Sequence, residues 1–116
     1  MPPMIKKVKK IMNEQYELIF SKLFEKRFRK LGPQLQKEGE KKIEKLKTNP
    51  KEIGKPIRYV LSNLYELHLS MYRIFYVIDD NVVKVLLLDV EHKDECDKYL
   101  RSLTKEKIKQ IIGENF

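Results

Sequence analysis

Five residues in the second half of the chain have side chains suited to binding phosphate and moving protons: His68, Arg73, His92, Lys93 and Tyr99. Arg73 stands out because it interrupts the aromatic and aliphatic run YRIFYVI. An arginine fork binds two phosphate oxygens at once, and histidine, lysine and tyrosine transfer protons where their surroundings tune them. Such a set is suited to cleaving RNA through its own 2′-hydroxyl. That reaction needs a base, a cation at the phosphate and an acid for the leaving 5′-oxygen.

Each of these residues also has a structural interpretation. Arg73 could pair with a glutamate on a neighbouring strand, either Glu66 or Glu91, and Tyr99 could close the core with its hydroxyl at the rim. Residues 92–93 could form an ordinary loop. Ion-pair networks gather charged residues as catalytic sites do, so residue type and spacing leave both interpretations open.

The sequence lacks the motifs of the commoner chemistries. It contains no phosphate loop, no CxxC, no HExxH and no nucleophile elbow. His92 and Cys96 have helical i, i+4 spacing, but zinc requires three or four protein ligands and the only other histidine is His68. We therefore expect no metal and no cofactor. A single cysteine excludes an internal disulfide and suits a reducing compartment.

Length and charge predict one small basic domain. The 116 residues, 41% of them hydrophobic, are enough for a single domain over 1–116 with one modest core. Residues 1–56 carry 16 Lys/Arg against 7 Asp/Glu, whereas residues 57–116 carry 9 against 10. This imbalance favours a polyanion or an acidic protein as partner. No apolar run approaches the roughly 20 residues of a membrane span, so we expect a cytoplasmic protein.

The first half of the chain predicts a strand followed by a helical hairpin. After a basic extension over 1–14, the segment 16–20 alternates as a strand does, and Ser21 is a plausible helix N-cap. Apolar residues then recur at helical spacing up to Leu31, and Gly32-Pro33 ends this helix and opens a second one to about Lys47. Two basic helices in an αα-hairpin follow.

The second half predicts three strands and a helical end. Residues 51–59 are expected to form a loop, and a strand follows over 64–69. The phase of alternation shifts at residues 70–71, which predicts a turn before the strand YRIFYVI. A turn at 79–81 and an apolar strand over 82–90 complete a hairpin, and helix begins near Asp94. The order β-α-α-β-β-β-α predicts an α+β fold, a small mostly antiparallel sheet with the αα-hairpin and a C-terminal helix on one face.

Over roughly residues 15–100 the sequence resembles the RelE/ParE superfamily of microbial type II toxins, and in particular its RelE-like branch. The segments that carry the resemblance are YELIFSKLFEKRFRKL, NP followed by GKPIRYVL, LYELHLSMYRIFYVID and DVEHKDECDKY. The resemblance implies the RelE-like microbial RNase fold. It also implies a toxin that enters the ribosome, cleaves mRNA without metal, and is held inactive in a hetero-oligomer with a RelB-like antitoxin.

The resemblance also implies roles for individual residues. Arg73 matches the arginine that stabilises the scissile phosphate, and Tyr99 matches a tyrosine that stacks on a base and aids the reaction. Lys93 falls where similar nucleases carry an arginine for the leaving group or phosphate, and His92 matches the histidine before it. His68 falls where many similar proteins have arginine, so we expect it to contact nucleic acid. The remaining candidates for nucleic-acid contact are Lys26, Arg27, Lys30, Lys55 and Arg58.

Departures from the pattern keep other functions open. Leu64 and Glu66 stand where similar nucleases place lysines on the strand before the YR block, so the general base has no obvious occupant, and His68 is the nearest substitute. Lys93 in place of arginine loses bidentate phosphate binding. The alternatives are a ParE-like toxin that inhibits DNA gyrase without nuclease activity, and an attenuated protein that acts mainly by binding its antitoxin.

Overall fold

The computed structural model describes residues 15–57 and 63–115. The basic extension over 1–14 and the candidate Arg58 therefore lie outside the described residues. The helices and strands are β1 (Glu17–Phe20), α1 (Lys22–Phe28), α2 (Pro33–Glu44), α3 (Pro50–Ile53), β2 (Lys55–Ile57), β3 (Leu64–Leu69), β4 (Tyr72–Asp79), β5 (Lys84–His92), α4 (Cys96–Ser102) and α5 (Lys105–Asn115). Short 3₁₀ turns cover Lys45–Lys47 and Lys93–Glu95.

One mixed sheet organises these elements, in the spatial order β1-β5-β4-β3-β2. Only the pairing of β1 with β5 is parallel, and the other three pairings are antiparallel. The predicted α+β class and the mostly antiparallel sheet are confirmed. Of the three inner strands, β4 and β5 are buried along most of their length, as the apolar run over 82–90 predicts for β5.

The helices cover both faces of the sheet. On one face, α1 and α2 pack over side chains such as Ile74, Tyr76 and Leu87. On the other face, Leu100 and Ile108 of the C-terminal helices pack over Phe75 and its neighbours. The expectation that all helices share one face is wrong, because the strands alternate apolar side chains to both sides and each side needs its own cover.

Local contacts explain where the hairpin helices lie. The Ser21 hydroxyl accepts a hydrogen bond from the Phe24 amide at 3.0 Å, which confirms the predicted N-cap. Gly39 is buried in α2, and a Cβ built there would lie 2.8 Å from the Phe28 ring and 3.0 Å from a Leu69 methyl carbon. Gly39 therefore lets α2 approach both α1 and the sheet closely.

Two local expectations are wrong. The segment predicted as a loop over 51–59 forms α3 and β2 within its described part, and β2 adds an edge strand opposite Leu64–Glu66. In the β4–β5 hairpin the turn covers residues 80–83 rather than 79–81, and Val83 within it is left-handed, at φ 55°. Asp79 nevertheless accepts a hydrogen bond from the Asn81 amide at 3.0 Å, as turn-forming aspartates do.

The strand β5 contains a bulge that redirects one carboxylate. Phe75 pairs with Asp89 whereas Tyr76 pairs with Leu87, so Leu88 is an extra residue in the ladder. Asp89 consequently lies on the face of Phe75, beneath the C-terminal helices, where it is fully buried.

Within the described residues no helix is long and apolar enough to cross a membrane.

Candidate functional site

Arg73 occupies the centre of a polar row across three strands. The sheet register places it opposite His68 on β3 and Glu91 on β5, so the three side chains share one face. Its Nη1 donates to the carbonyl oxygens of Ser70 and Tyr72, each at 2.9 Å. These bonds hold the guanidinium against the β3–β4 turn, and 19% of the side chain is exposed.

Glu66 and His68 form a close pair beside Arg73. The Glu66 Oε1 atom lies 2.8 Å from the His68 Nε2 atom and 3.9 Å from the Arg73 Nε atom. Residues i and i+2 of a strand point to the same side, which is why this pair forms. The carboxylate therefore contacts both the imidazole and the guanidinium. The structural interpretation in which Arg73 pairs with Glu66 thus accounts for one of the contacts of Arg73.

Tyr99 joins the same face from α4. Its ring packs on Phe75 with the centroids 4.9 Å apart. Burial raises the pKa of the Tyr99 hydroxyl well above its usual value, and the nearby Asp89 carboxylate adds to this while Arg27 opposes it. The hydroxyl is therefore a weaker acid than that of a free tyrosine, and it stays protonated and able to donate a hydrogen bond at neutral pH.

His92 lies on the opposite face of the sheet from Arg73. It pairs with Tyr72 in the β4–β5 ladder, and the two rings meet edge to face with centroids 5.4 Å apart. Its Nδ1 accepts a hydrogen bond from the Asp94 amide at 3.1 Å. Lys93 follows with an exposed side chain, and its backbone amide donates to the Met71 carbonyl at 2.7 Å. The structure thus brings His68, Arg73 and Tyr99 to one face but not His92.

Arg27 connects α1 to the C-terminal end of β5. Its Nη1 contacts the buried Asp89 carboxylate at 2.9 Å and also the Glu91 carboxylate. Burial raises the pKa of Asp89, whereas the Val90 amide and Arg27 act in the opposite direction. A cleft of about 340 Å³ opens here, lined in part by Arg27, Glu91 and Tyr99.

The other candidates for nucleic-acid contact are spread over the surface. Lys26 and Lys30 are exposed at and just beyond the end of α1, whereas Arg27 between them is held in its ion pairs. Lys55 is exposed on the edge strand β2, where the register places it opposite Glu66. Lys55 therefore lies near the polar row, and Lys26 and Lys30 remain available to solvent on the hairpin.

The described part of the chain contains no group of three or more His, Cys, Asp or Glu side chains that could hold a metal ion. Cys96 instead donates a weak hydrogen bond from Sγ to the His92 carbonyl at 3.4 Å. Burial raises the pKa of the Cys96 thiol, with a further increase from Glu66. The thiol is thus a poor nucleophile at neutral pH.

Two features of the site are not apparent from residue types alone. The Glu66–His68 pair has a weak sequence signal, since the two residues are spaced i, i+2 on a predicted strand. The pairing of Arg27 with Asp89 depends on the bulge in β5, and the only sequence signal is a carboxylate inside an apolar run.

Comparison with known proteins identifies relatives of this fold. Residues 18–96 match the ParE toxin family of type II toxin–antitoxin systems, parDE. A comparison with curated proteins gives no match.

Three solved structures illustrate the similarity. A double arginine mutant of Escherichia coli toxin RelE in the free state has a TM-score of 0.64 and 27% identity, over 84% of this chain and 98% of that one. The RelBE2 toxin–antitoxin complex of Mycobacterium tuberculosis gives 0.60 and 28%, over 67% and 98%. The intact RelBE complex of E. coli gives 0.61 and 26%, over 66% and 95%.

The family match covers more than half of the chain, and the structural matches cover nearly all of each relative. The chain therefore belongs to the ParE toxin family, within the RelE/ParE superfamily of type II toxin–antitoxin systems.

Proposed function

We propose that this toxin is a ribosome-dependent endoribonuclease that cleaves mRNA by attack of the 2′-hydroxyl on the adjacent phosphate. The observation that carries this proposal is the position of Arg73. It lies beside His68 and on the face of Tyr99, with one guanidinium nitrogen already held by two backbone carbonyls. A pre-oriented cation of this kind stabilises charge that develops on a phosphate.

Each remaining residue has a defined part in this reaction. Arg73 binds the scissile phosphate. The Tyr99 ring stacks on a base, or its hydroxyl gives a proton to the leaving 5′-oxygen. Lys93 supplies an exposed cation at the end of β5, while His92 supports that end by packing on Tyr72. No cofactor takes part, since the attacking oxygen belongs to the RNA.

A RelB-like antitoxin is the proposed regulator. The structural relatives from Mycobacterium tuberculosis and the intact E. coli complex are toxins bound to such an antitoxin. A groove of about 570 Å³ between α1 and α5 is lined by the apolar side chains Leu23, Leu88, Leu103 and Ile111 among others, and Leu23 is 41% exposed. This groove suits the apolar face of an amphipathic antitoxin segment that folds on binding.

Inhibition of DNA gyrase is the second candidate function. The matched family is the ParE family, and the site contains carboxylates that RNA would have to approach. Glu66 lies beside Arg73, and Glu91 is shared with Arg27. These carboxylates favour a protein partner over a polyanion if the arginines stay paired.

Two assays with purified toxin distinguish the two functions. One uses ribosomes programmed with a defined mRNA, and the other uses gyrase with supercoiled plasmid. We expect cleavage of the ribosome-bound mRNA by the wild type, loss of at least about a hundredfold in rate for Arg73→Ala, and no trapped gyrase. Arg101→Ala, which removes an exposed arginine from α4, is the matched control and keeps full activity. Intact mRNA together with linearised plasmid would show that the protein inhibits gyrase and is not a nuclease.

A further inference from the structure

Glu66 and His68 form a hydrogen-bonded pair on β3. The Glu66 Oε1 atom lies 2.8 Å from the His68 Nε2 atom, and an ionised carboxylate only accepts hydrogen bonds. This contact therefore places the imidazole proton on Nε2. The lone pair of the neutral ring is then on Nδ1, the nitrogen that Glu66 does not contact.

The position of His68 relative to Arg73 fits the geometry of an RNA backbone. The two residues are direct cross-strand partners, and such partners have Cβ atoms about 5 Å apart. In RNA the 2′-hydroxyl is attached to the sugar carbon next to the one that carries the 3′-phosphate. A group that receives the hydroxyl proton must therefore lie next to the group that binds the phosphate, as His68 and Arg73 do.

Exposure separates the roles of the three side chains. His68 is 47% exposed, whereas the side chains of Glu66 and Arg73 are 21% and 19% exposed. The imidazole is thus the most accessible of the three groups, and the carboxylate that contacts it is less exposed. Glu66 also lies 3.9 Å from the Arg73 Nε atom, so the carboxylate that contacts the imidazole also forms a longer ion pair with the guanidinium.

We infer that His68 is the general base of the proposed cleavage and that Glu66 is its positioning residue. His68 Nδ1 takes the proton of the 2′-hydroxyl as the 2′-oxygen forms its bond to phosphorus. The bond from phosphorus to the 5′-oxygen breaks, and that oxygen takes a proton from the Tyr99 hydroxyl or from water. The products are a 2′,3′-cyclic phosphate and a 5′-hydroxyl. This inference rests on the proposed function and identifies the proton acceptor that the positions of Leu64 and Glu66 otherwise leave open.

The tautomer of His68 gives a test that is independent of activity. The full chain contains two histidines, so ¹⁵N-labelled imidazole signals are assigned with a single His68→Gln variant. We expect His68 of the wild type to be the Nε2–H tautomer. Glu66→Gln replaces a group that only accepts with an amide that also donates, so the Nδ1–H form gains population. Glu52→Gln, an exposed glutamate in α3, leaves the signals unchanged. A wild-type His68 in the Nδ1–H form would overturn the inference.

Single-turnover cleavage on programmed ribosomes tests the catalytic role. We expect His68→Ala to lower the rate about a hundredfold or more and added imidazole to restore part of it. Glu66→Gln lowers the rate about tenfold or more, because an orienting carboxylate fixes the tautomer of the histidine that it contacts. Arg73→Ala serves as the inactive reference.

The outcomes distinguish this inference from the proposed function. If Arg73→Ala loses cleavage but His68→Ala cleaves at the wild-type rate, the proposed nuclease function stands and the assignment of His68 as general base is wrong. Rates in Glu66→Gln equal to the wild type, with His68→Ala inactive, would overturn the positioning role of Glu66. Absence of cleavage by the wild type would overturn the proposed function and the base with it, whatever the tautomer of His68.

Discussion

Arg27 is the residue on which the charge balance at the end of β5 depends. Asp89 is fully buried, and Arg27 and the Val90 amide are its hydrogen-bond partners at 2.9 and 2.7 Å. Removing the partner of a buried carboxylate destabilises a protein far more than breaking an exposed ion pair does. Burial already raises the pKa of Asp89 above its unfolded value near 3.8. The stability that this group contributes is therefore greatest at acid pH and falls as the pH rises through the folded pKa.

Arg27→Ala is expected to lower the free energy of unfolding by about 2 kcal/mol at pH 7. The variant raises the pKa of Asp89 further, so its deficit relative to the wild type shrinks as the pH falls and Asp89 takes up a proton. Urea denaturation at several pH values measures this difference. Arg29→Ala, which breaks an exposed pair with Glu25, is the control and changes stability by less than about 0.5 kcal/mol. A deficit of Arg27→Ala that is constant with pH would contradict this account.

At the level of residues, part of the site follows from sequence and part does not. The type of Arg73 and its place in an aromatic strand make it a candidate for phosphate binding, and its cross-strand neighbours follow once the strands 64–69 and 72–78 are predicted. The opposite orientation of His92 depends on the register of β4 with β5, which includes an extra residue at Leu88. Sequence alternation does not reveal a bulge, so the faces of residues beyond it are not predictable.

Among the elements, α2 shows how packing overrides helix propensity. Glycine weakens a helix by about 1 kcal/mol relative to alanine, and Gly39 lies inside α2. Yet a Cβ at Gly39 would approach the Phe28 ring to 2.8 Å, closer than packed atoms tolerate. At Gly113 in α5, by contrast, a Cβ would meet no atom within 4 Å. The two glycines should therefore respond to the same substitution with opposite signs.

Gly39→Ala is expected to destabilise the protein by about 1–2 kcal/mol, because overpacking outweighs the gain in helix propensity. Gly113→Ala is expected to stabilise it by about 0.5–1 kcal/mol. Denaturant midpoints of the two variants at unchanged slope measure both effects. A Gly39→Ala variant more stable than the wild type would show that α1 and the sheet yield readily to α2.

The helices and strands are predicted correctly where the apolar pattern extends over many residues. The two hairpin helices and the strands β3 to β5 have clear apolar patterns, and each is found near its predicted place. The three-residue strand β2 has no such pattern, since KPI contains a proline and lies at an edge. The distribution of helices over both faces is a tertiary property that the order of elements does not determine.

At the scale of the whole molecule, charge separates the two halves of the chain. The net charge of +8 comes from residues 1–56, because residues 57–116 carry one more acid than base. The hairpin presents exposed lysines such as Lys26 and Lys30, while the site end of the sheet contains most of the carboxylates discussed above. Such a distribution suits non-specific contact with RNA phosphates by the hairpin and selective contact at the site.

The salt dependence of the proposed ribosome binding tests this division. The pair of substitutions Lys26→Gln and Lys30→Gln is expected to weaken binding and to reduce the slope of log affinity against log salt by about 2. Lys105→Gln with Lys109→Gln in α5 removes the same charge from another surface and is expected to leave the slope nearly unchanged. Equal slopes for both pairs would mean that overall charge, rather than the hairpin, determines binding.

Arg73 is proposed to act in RNA cleavage, and one measurement tests this role most directly. The wild-type chain and Arg73→Ala are induced in cells without antitoxin, and new 5′ ends are mapped on translated mRNA. We predict cuts within ribosome-bound codons for the wild type, and none for an equally abundant, folded Arg73→Ala protein. Cuts that persist in Arg73→Ala, or growth arrest by the wild type with intact mRNA, would contradict the assignment.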